Sequence, residues 1–266
     1  MRYVFDNDLH IHSKISYCSS DEKHTTERIL EYAKENNLKT ICLTDHFWDE
    51  TVEGASNWYK GQNYGWISRA LPLPQADGIK FMFGCETEMD KFLNVGISKE
   101  TCDKFDFIVI PTTHLHMMNF TLTSEDDTFE RRAQLWVDRF DALLNKDLPF
   151  EKIGIAHLTC SLISSTREEY PEVLKLIPEE EMWRLFKKAA KLGVGIELNA
   201  SCFSFSYNED HELILKPYKI AKECGCKFYC CSDAHHPADF EDVKKNIEKV
   251  IDLLNLTEDD KFHLAK

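Results

Sequence analysis

Six of the eleven histidines in this chain stand where short apolar runs end: Asp8-Leu9-His10-Ile11-His12, Thr44-Asp45-His46, Thr112-Thr113-His114, Ile155-Ala156-His157 and Ser232-Asp233-Ala234-His235. If these runs are β-strands, their side chains alternate. His10 and His12 then share a face about 7 Å apart and can hold one cation between two imidazoles. One such pair proves little. Five strand ends bearing imidazole, joined by the carboxylates Glu86 and Asp233 in similar positions, offer more ligands than one ion can use. The pattern demands a fold that gathers the ends of many strands at one rim, and it reads as a multinuclear metalloenzyme.

Short β-rich runs alternate with helical periodicity along the chain, which predicts parallel strands joined by helical crossovers. Strands are expected at 3–12, 40–46, 80–88, 105–114, 152–158, 193–200 and 227–233. Helices are expected at 26–36, 127–145, 178–192, 209–223 and 239–253, with Pro178 as an N1 proline and Gly193 and Gly225 as carboxyl-terminal stops. The crossover after Glu88 has no clear pattern. Parallel strands place their sites beyond the carboxyl ends, whether the sheet closes or stays open. No glycine-rich phosphate loop follows any strand, and ligands come from nearly every strand. An α/β fold with a distorted seven-stranded TIM-like (β/α)7 barrel is therefore expected, as one domain over residues 1–266. Residues 49–78, rich in Trp, Tyr, Gly and Asn, exceed an ordinary connection and read either as a lid or binding loop or as a structural excursion.

Composition narrows the partners. A formal charge of −14, from 32 basic and 46 acidic residues, disfavours a long nucleic-acid surface, which lysine and arginine clusters would build. Bound cations would offset that charge locally, so a small anionic substrate is still admitted. No apolar run reaches the length of a membrane span. The chain opens Met1-Arg2-Tyr3 without a secretory leader pattern, and most of its ten cysteines fall in apolar runs. Reduced thiols and a cytoplasmic location are expected.

The order of motifs resembles the PHP superfamily, named for polymerase and histidinol phosphatase. The resemblance extends from Asp8 to His236, and its most specific pieces are Asp8-Leu9-His10-Ile11-His12-Ser13, Thr44-Asp45-His46, Gly84-Cys85-Glu86 and Ser232-Asp233-Ala234-His235. It implies a distorted seven-stranded barrel holding two to three divalent ions of zinc, manganese or iron. It also implies ligand sets: His10, His12, Glu86 and Asp233 for a first metal, with Glu86 bridging to a second that takes His114 and His157, and His46 with His235 for a third. Many members carry a further histidine six residues after the His-x-His pair, where this chain has Cys18. Cys18 is either a thiolate ligand favouring soft ions or only a neighbour. Asp45 is expected to orient an imidazole rather than to bind metal.

The expected reaction is hydrolysis of a small phosphorylated substrate by a hydroxide bridging two metals, with histidinol phosphate as the leading named candidate. Glu86, Asp233 and His235 would carry it, and His116 would share a face with His114 and donate a proton to the leaving group. Arg167 and Lys14 are the candidates for holding phosphate, ahead of Arg69, Arg131 and Arg132. His24, His211 and His263 are expected at the surface. His236 is expected beside substrate or behind a ligand, and Glu197 and Asn199 either face the site or cap the rim. Two alternatives stand beside this reading: a phosphodiesterase or exonuclease on nucleotides or nucleic-acid ends, and a metal-stabilised scaffold without catalysis. The oligomeric state is left open.

Overall fold

The computed structural model describes residues 1–204 and 211–264. Among them, nine strand segments pair in parallel: β1 (Asn7–Ile11), β2 (Thr40–Leu43), β3 (His46–Phe47), β4 (Lys80–Phe83), β5 (Cys85–Thr87), β6 (Ile108–Pro111), β7 (Ile153–Ala156), β8 (Gly195–Asn199) and β9 (Lys227–Cys231). Seven α-helices accompany them: α1 (Thr26–Glu35), α2 (Tyr64–Ile67), α3 (Phe129–Leu143), α4 (Tyr170–Leu176), α5 (Glu179–Leu192), α6 (His211–Glu223) and α7 (Val243–Leu253).

All seven expected strand runs are present, two of them divided. The run at 40–46 splits into β2 and β3, and the run at 80–88 splits at Gly84 into β4 and β5. Gly84 lies so close to its neighbour that an added Cβ would fall 2.3 Å from the Phe107 carbonyl oxygen and 2.7 Å from Cys42 Sγ. The sheet orders are β1-β2-β4 and β3-β5-β6-β7-β8-β9. The Gly84 amide donates to Leu43 O at 2.8 Å and that of Cys85 to Phe107 O at 3.2 Å, which carries the hydrogen bonding across the break. On the other side, the Asp233 amide donates to His10 O and that of His12 to Ala234 O. Lower on this seam two side chains replace backbone acceptors, Asn7 Oδ1 taking the Cys230 amide and Asp8 Oδ1 that of Ser232, each at 3.1 Å. The result is the distorted seven-stranded α/β barrel.

Strand alternation divides the core. Leu9, Cys42, Met82, Phe107, Val109, Ala156, Tyr229 and Cys231 form one buried cluster with Phe262 of the carboxyl-terminal segment. The intervening residues, such as Ile41, Leu43, Ile108, Ile110, Ile155, Ile196 and Leu198, pack instead in the larger cluster with the helices. Gly154 and Gly195 make room for the Tyr229 ring. Gly193 and Gly225 end α5 and α6 with φ of 77° and 84°, as the sequence predicts.

Several boundaries differ from expectation. Pro178 is the N-cap of α5 rather than its first helical residue. The segment Pro237–Phe240 is a separate 3-10 turn, and α7 starts at Val243. The expected start of the sixth helix at 209 lies outside the described residues. Helix α4 was not expected, because its seven residues alternate apolar and charged types too briefly to establish a period. His24 is fully buried, not exposed: its Nε2 lies 3.2 Å from Ala234 O and its ring 5.4 Å from that of Phe240, beneath the β9–β1 seam. His263 is exposed and His211 half-buried. His236 caps the turn that follows it.

Candidate metal centre

Four donor atoms from β1, β5 and the turn after β9 meet at the barrel rim. His10 Nε2 and His12 Nε2 are 3.1 Å apart. Glu86 Oε2 lies 3.5 and 3.3 Å from them, and Asp233 Oδ1 lies 3.4 and 3.3 Å from them. Donors placed tetrahedrally about 2.0–2.1 Å from a common centre are about 3.3–3.4 Å apart, close to the spacing of the two imidazole nitrogens from each other and from each carboxylate oxygen. Two further clusters adjoin these donors: Glu86 with His114 and His157, and His12 with Cys18, His46 and His235. Glu86 joins them, since His46 Nδ1 lies 2.9 Å from its Oε2 and His157 Nε2 lies 3.6 Å from its Oε1. That Oε1 is buried without a hydrogen-bond partner. The structure thus brings together all nine residues singled out as ligands.

Protonation tells the same story. Burial opposes a charged His10, but Asp233, Glu197 and Glu86 outweigh it and raise the imidazole well above its ordinary range. Burial would raise Glu86, yet His46 and His10 pull its carboxyl well below the usual value. Extra protons on the imidazoles thus balance the buried carboxylates. A divalent cation would take their place, and the donor set fits one.

The imidazoles of His10, His12, His114 and His157 are each oriented by a contact at the far nitrogen, which fixes the tautomer and leaves the near nitrogen for the cluster. His10 Nδ1 is 2.8 Å from Glu197 Oε2, and the same carboxylate accepts the Tyr229 hydroxyl and the His157 amide. His12 Nδ1 is 3.1 Å from Ser16 Oγ, which donates to Asp45 Oδ1 at 2.9 Å and accepts the His46 amide. Asp45 thus reaches the His12 imidazole through Ser16. His114 Nδ1 is 2.7 Å from Glu88 Oε2, and Glu88 Oε1 accepts from the fully buried Arg139 at 2.8 Å. Burial lifts this Glu88 carboxyl to about 7 against the pull of Arg139. His157 Nδ1 is 3.1 Å from Thr113 Oγ1, whose proton goes to His157 O. Residues His157 and Asp233 hold φ of 28° and 55°, the left-handed region that costs non-glycine residues energy and recurs at functional sites.

Sequence reasoning missed Ser16, Glu88 and Arg139 and left Glu197 undecided. Of these only Glu197 carried a signal, because it falls on the inner alternation of β8.

His235 stacks on His12 with ring centroids 4.2 Å apart. Burial, with Glu86 and Asp233 nearby, pushes the Cys18 thiol up. A cavity of about 520 Å3 opens above the clusters, lined by Cys18, His46, Glu86, His114, Asp233 and His235 on the metal side. His116 also faces it, edge-on to His114, with its imidazole pushed down to about 4, chiefly by burial. The 49–78 segment adds Ser56, Trp58 and Tyr59 to the wall, and Tyr59 packs with Trp48 and Phe120. Arg167 lines a smaller adjoining cavity of about 290 Å3 that shares His157 and Asp233. Lys14 is paired with Glu22 at 2.9 Å and lines neither cavity. Arg132 is buried, binding Leu115 O, Ile163 O and Asp127, so it holds loops together.

Fold and donor rim together define a metal-binding α/β-barrel enzyme. The chain belongs to the PHP domain family, which matches residues 8–255. The histidinol phosphate phosphatase of Lactococcus lactis subsp. lactis, solved with zinc, L-histidinol and phosphate, shares the fold at a TM-score of 0.59 and 16% identity, covering 93% of this chain and 94% of that one. The candidate histidinol phosphatase of Listeria monocytogenes does so at 0.60 and 16%, covering 88% and 97%. No curated protein matches the chain in sequence. Among the described residues, no helix is long and apolar enough to cross a membrane.

Proposed function

We propose that the protein hydrolyses small phosphomonoesters with two to three divalent cations of the zinc, manganese or iron type. The carrying observation is the His10–His12 pair, whose Nε2 atoms stand 3.1 Å apart with a Glu86 and an Asp233 carboxylate oxygen each 3.3–3.5 Å from both. Glu86 would bridge to a second cation held with His114 and His157, and Cys18, His46 and His235 would hold a third. Bound cations activate water and neutralise charge developing on the phosphoryl oxygens.

The chain's own residues do the rest. Ser16, Glu88, Glu197 and Thr113 hold the ligand imidazoles in one tautomer. His116 stands uncharged beside the cavity near neutral pH, and a phosphate dianion next to it would favour its protonated form and equip it to protonate the leaving oxygen. Arg167 approaches from the adjoining cavity, where its guanidinium suits two phosphoryl oxygens. Histidinol phosphate is the named candidate that the fold likeness supplies.

A bounded cavity and a charge of −14 favour a small ester over a nucleic-acid strand. All ten cysteines are free, which supports a reducing, cytoplasmic setting. Metal-reconstituted protein should release phosphate from phosphomonoesters in a panel of histidinol phosphate, nucleoside monophosphates, cyclic nucleotides and single-stranded DNA. Activity confined to DNA would overturn the proposal. Full metal loading without turnover of any ester would favour the scaffold.

A further inference from the structure

The larger cavity has two unlike kinds of lining. Beside the metal clusters its wall carries Trp58, Tyr59, Met117, Met118, Phe120 and Leu162. Among the described residues, lysine and arginine are absent from its lining, and its only carboxylates, Glu86 and Asp233, are already candidate metal ligands. Apolar character continues to the mouth. Trp58, Met118 and Leu162 are 38%, 42% and 38% exposed, and Tyr17, 44% exposed, packs edge-on to Trp58. Isolated exposed apolar side chains need no explanation, but four around one opening mark a recognition surface. The Trp58 ring is also fixed, standing edge-on to Tyr59 at 4.8 Å and to His46 at 5.0 Å between centroids.

The adjoining cavity is polar. Thr159, Ser161, Arg167 and Ser201 line it, and it meets the first at His157, Leu162 and Asp233. A phosphoryl group at that junction would have the metal clusters beneath it and Arg167 beside it. The organic group of the ester then points into the apolar lobe. There a flat or aliphatic group gains burial, whereas an ammonium would lose water and find, among the described residues, no carboxylate that the metals would not claim.

We infer that this lobe selects phosphomonoesters whose organic group is flat or apolar and uncharged. The inference rests on the phosphomonoester reading and ranks substrates within it, placing an uncharged ester above an ammonium-bearing one such as histidinol phosphate. Matched alkyl esters remove leaving-group reactivity as the cause: 3-phenylpropyl phosphate should exceed 3-aminopropyl phosphate in kcat/KM by on the order of 10²-fold. Met118→Glu, a change at the exposed rim, should bring that ratio below about 10 by giving the ammonium a partner. Binding is read independently by calorimetry of the metal-reconstituted protein with 4-phenylbutylphosphonate and 4-aminobutylphosphonate, which cannot be hydrolysed. Tighter binding of the phenyl compound is expected. Equal or reversed affinities, or binding of neither, would overturn the lobe assignment whatever the activity. Selective phosphonate binding without hydrolysis of any ester would instead remove the phosphatase function and leave the lobe assignment standing.

Discussion

The side chains that decide the site's chemistry are as much the ones behind the ligands as the ligands themselves. Ser16 accepts the His46 amide, faces His12 Nδ1 and donates to Asp45, so one hydroxyl orients an imidazole and fixes the position of the next. Ser16→Ala should leave the fold intact and lower metal affinity about 10–100-fold, the usual cost of losing such a support; competition with a chelating dye measures it. Glu86 makes the opposite case. Both its oxygens face imidazoles from different clusters, so Glu86→Gln keeps the shape but replaces an anionic oxygen by an amide. Bound metal should fall below wild-type stoichiometry and phosphatase activity by a factor on the order of 10³ or more. Retained activity would shift the bridging role to another acid. The candidate ligands other than Cys18 were legible because they lie at or just beyond the ends of apolar runs of recognisable period. Their supports were not: Ser16 lies in a serine-rich loop, and Glu88 and Arg139 meet across 51 residues of chain, where no local pattern records the contact.

Helices and strands were legible wherever an apolar face repeats over enough residues. Helices α1, α3 and α5 each bury one side, and their expected spans are right to within two residues. What periodicity does not carry is interruption. The runs at 40–46 and 80–88 look continuous, yet each bends at the rim so that His46 pairs in register with Glu86. Close approach at Gly84 permits that bend. Gly84→Ala would force its Cβ against a backbone carbonyl, which cannot swing aside like a side chain. The chain should lose about 1–3 kcal/mol of stability, as overpacked sites do, read as a lower urea midpoint with an unchanged slope. Because β4 leads directly into β5, metal affinity should fall with it. An unaffected midpoint would mean that the two strands separate freely.

At the scale of the whole molecule, the barrel depends on bringing its first and last strands together, and Asp8 stands on that seam. Its fully buried carboxyl accepts the Ser232 amide on one oxygen and the Tyr32 hydroxyl on the other, tying β9, β1 and α1. Termini reinforce the closure, with Arg2 paired to Asp252 and Lys261 to Asp6. Burial raises Asp8 from 3.8 to about 7, against the hydrogen bonds from Ser232 and Tyr32. An acid whose folded value lies above its unfolded value binds more protons when folded. Stability therefore falls as pH rises from about 4 to 7, by about 2 kcal/mol between pH 5 and 7 for this group alone. Other titrating groups, including the metal ligands, change the total curve, but they cancel in the difference from a variant that lacks only this ionisation. Asp8→Asn keeps an acceptor for Ser232 and turns an amide toward the Tyr32 oxygen. In chelator-treated protein it should match wild type near pH 5 and become the more stable of the two toward pH 7. Urea unfolding at both pH values measures this, and a difference that stays constant with pH would show that Asp8 closes the barrel as an ordinary carboxylate.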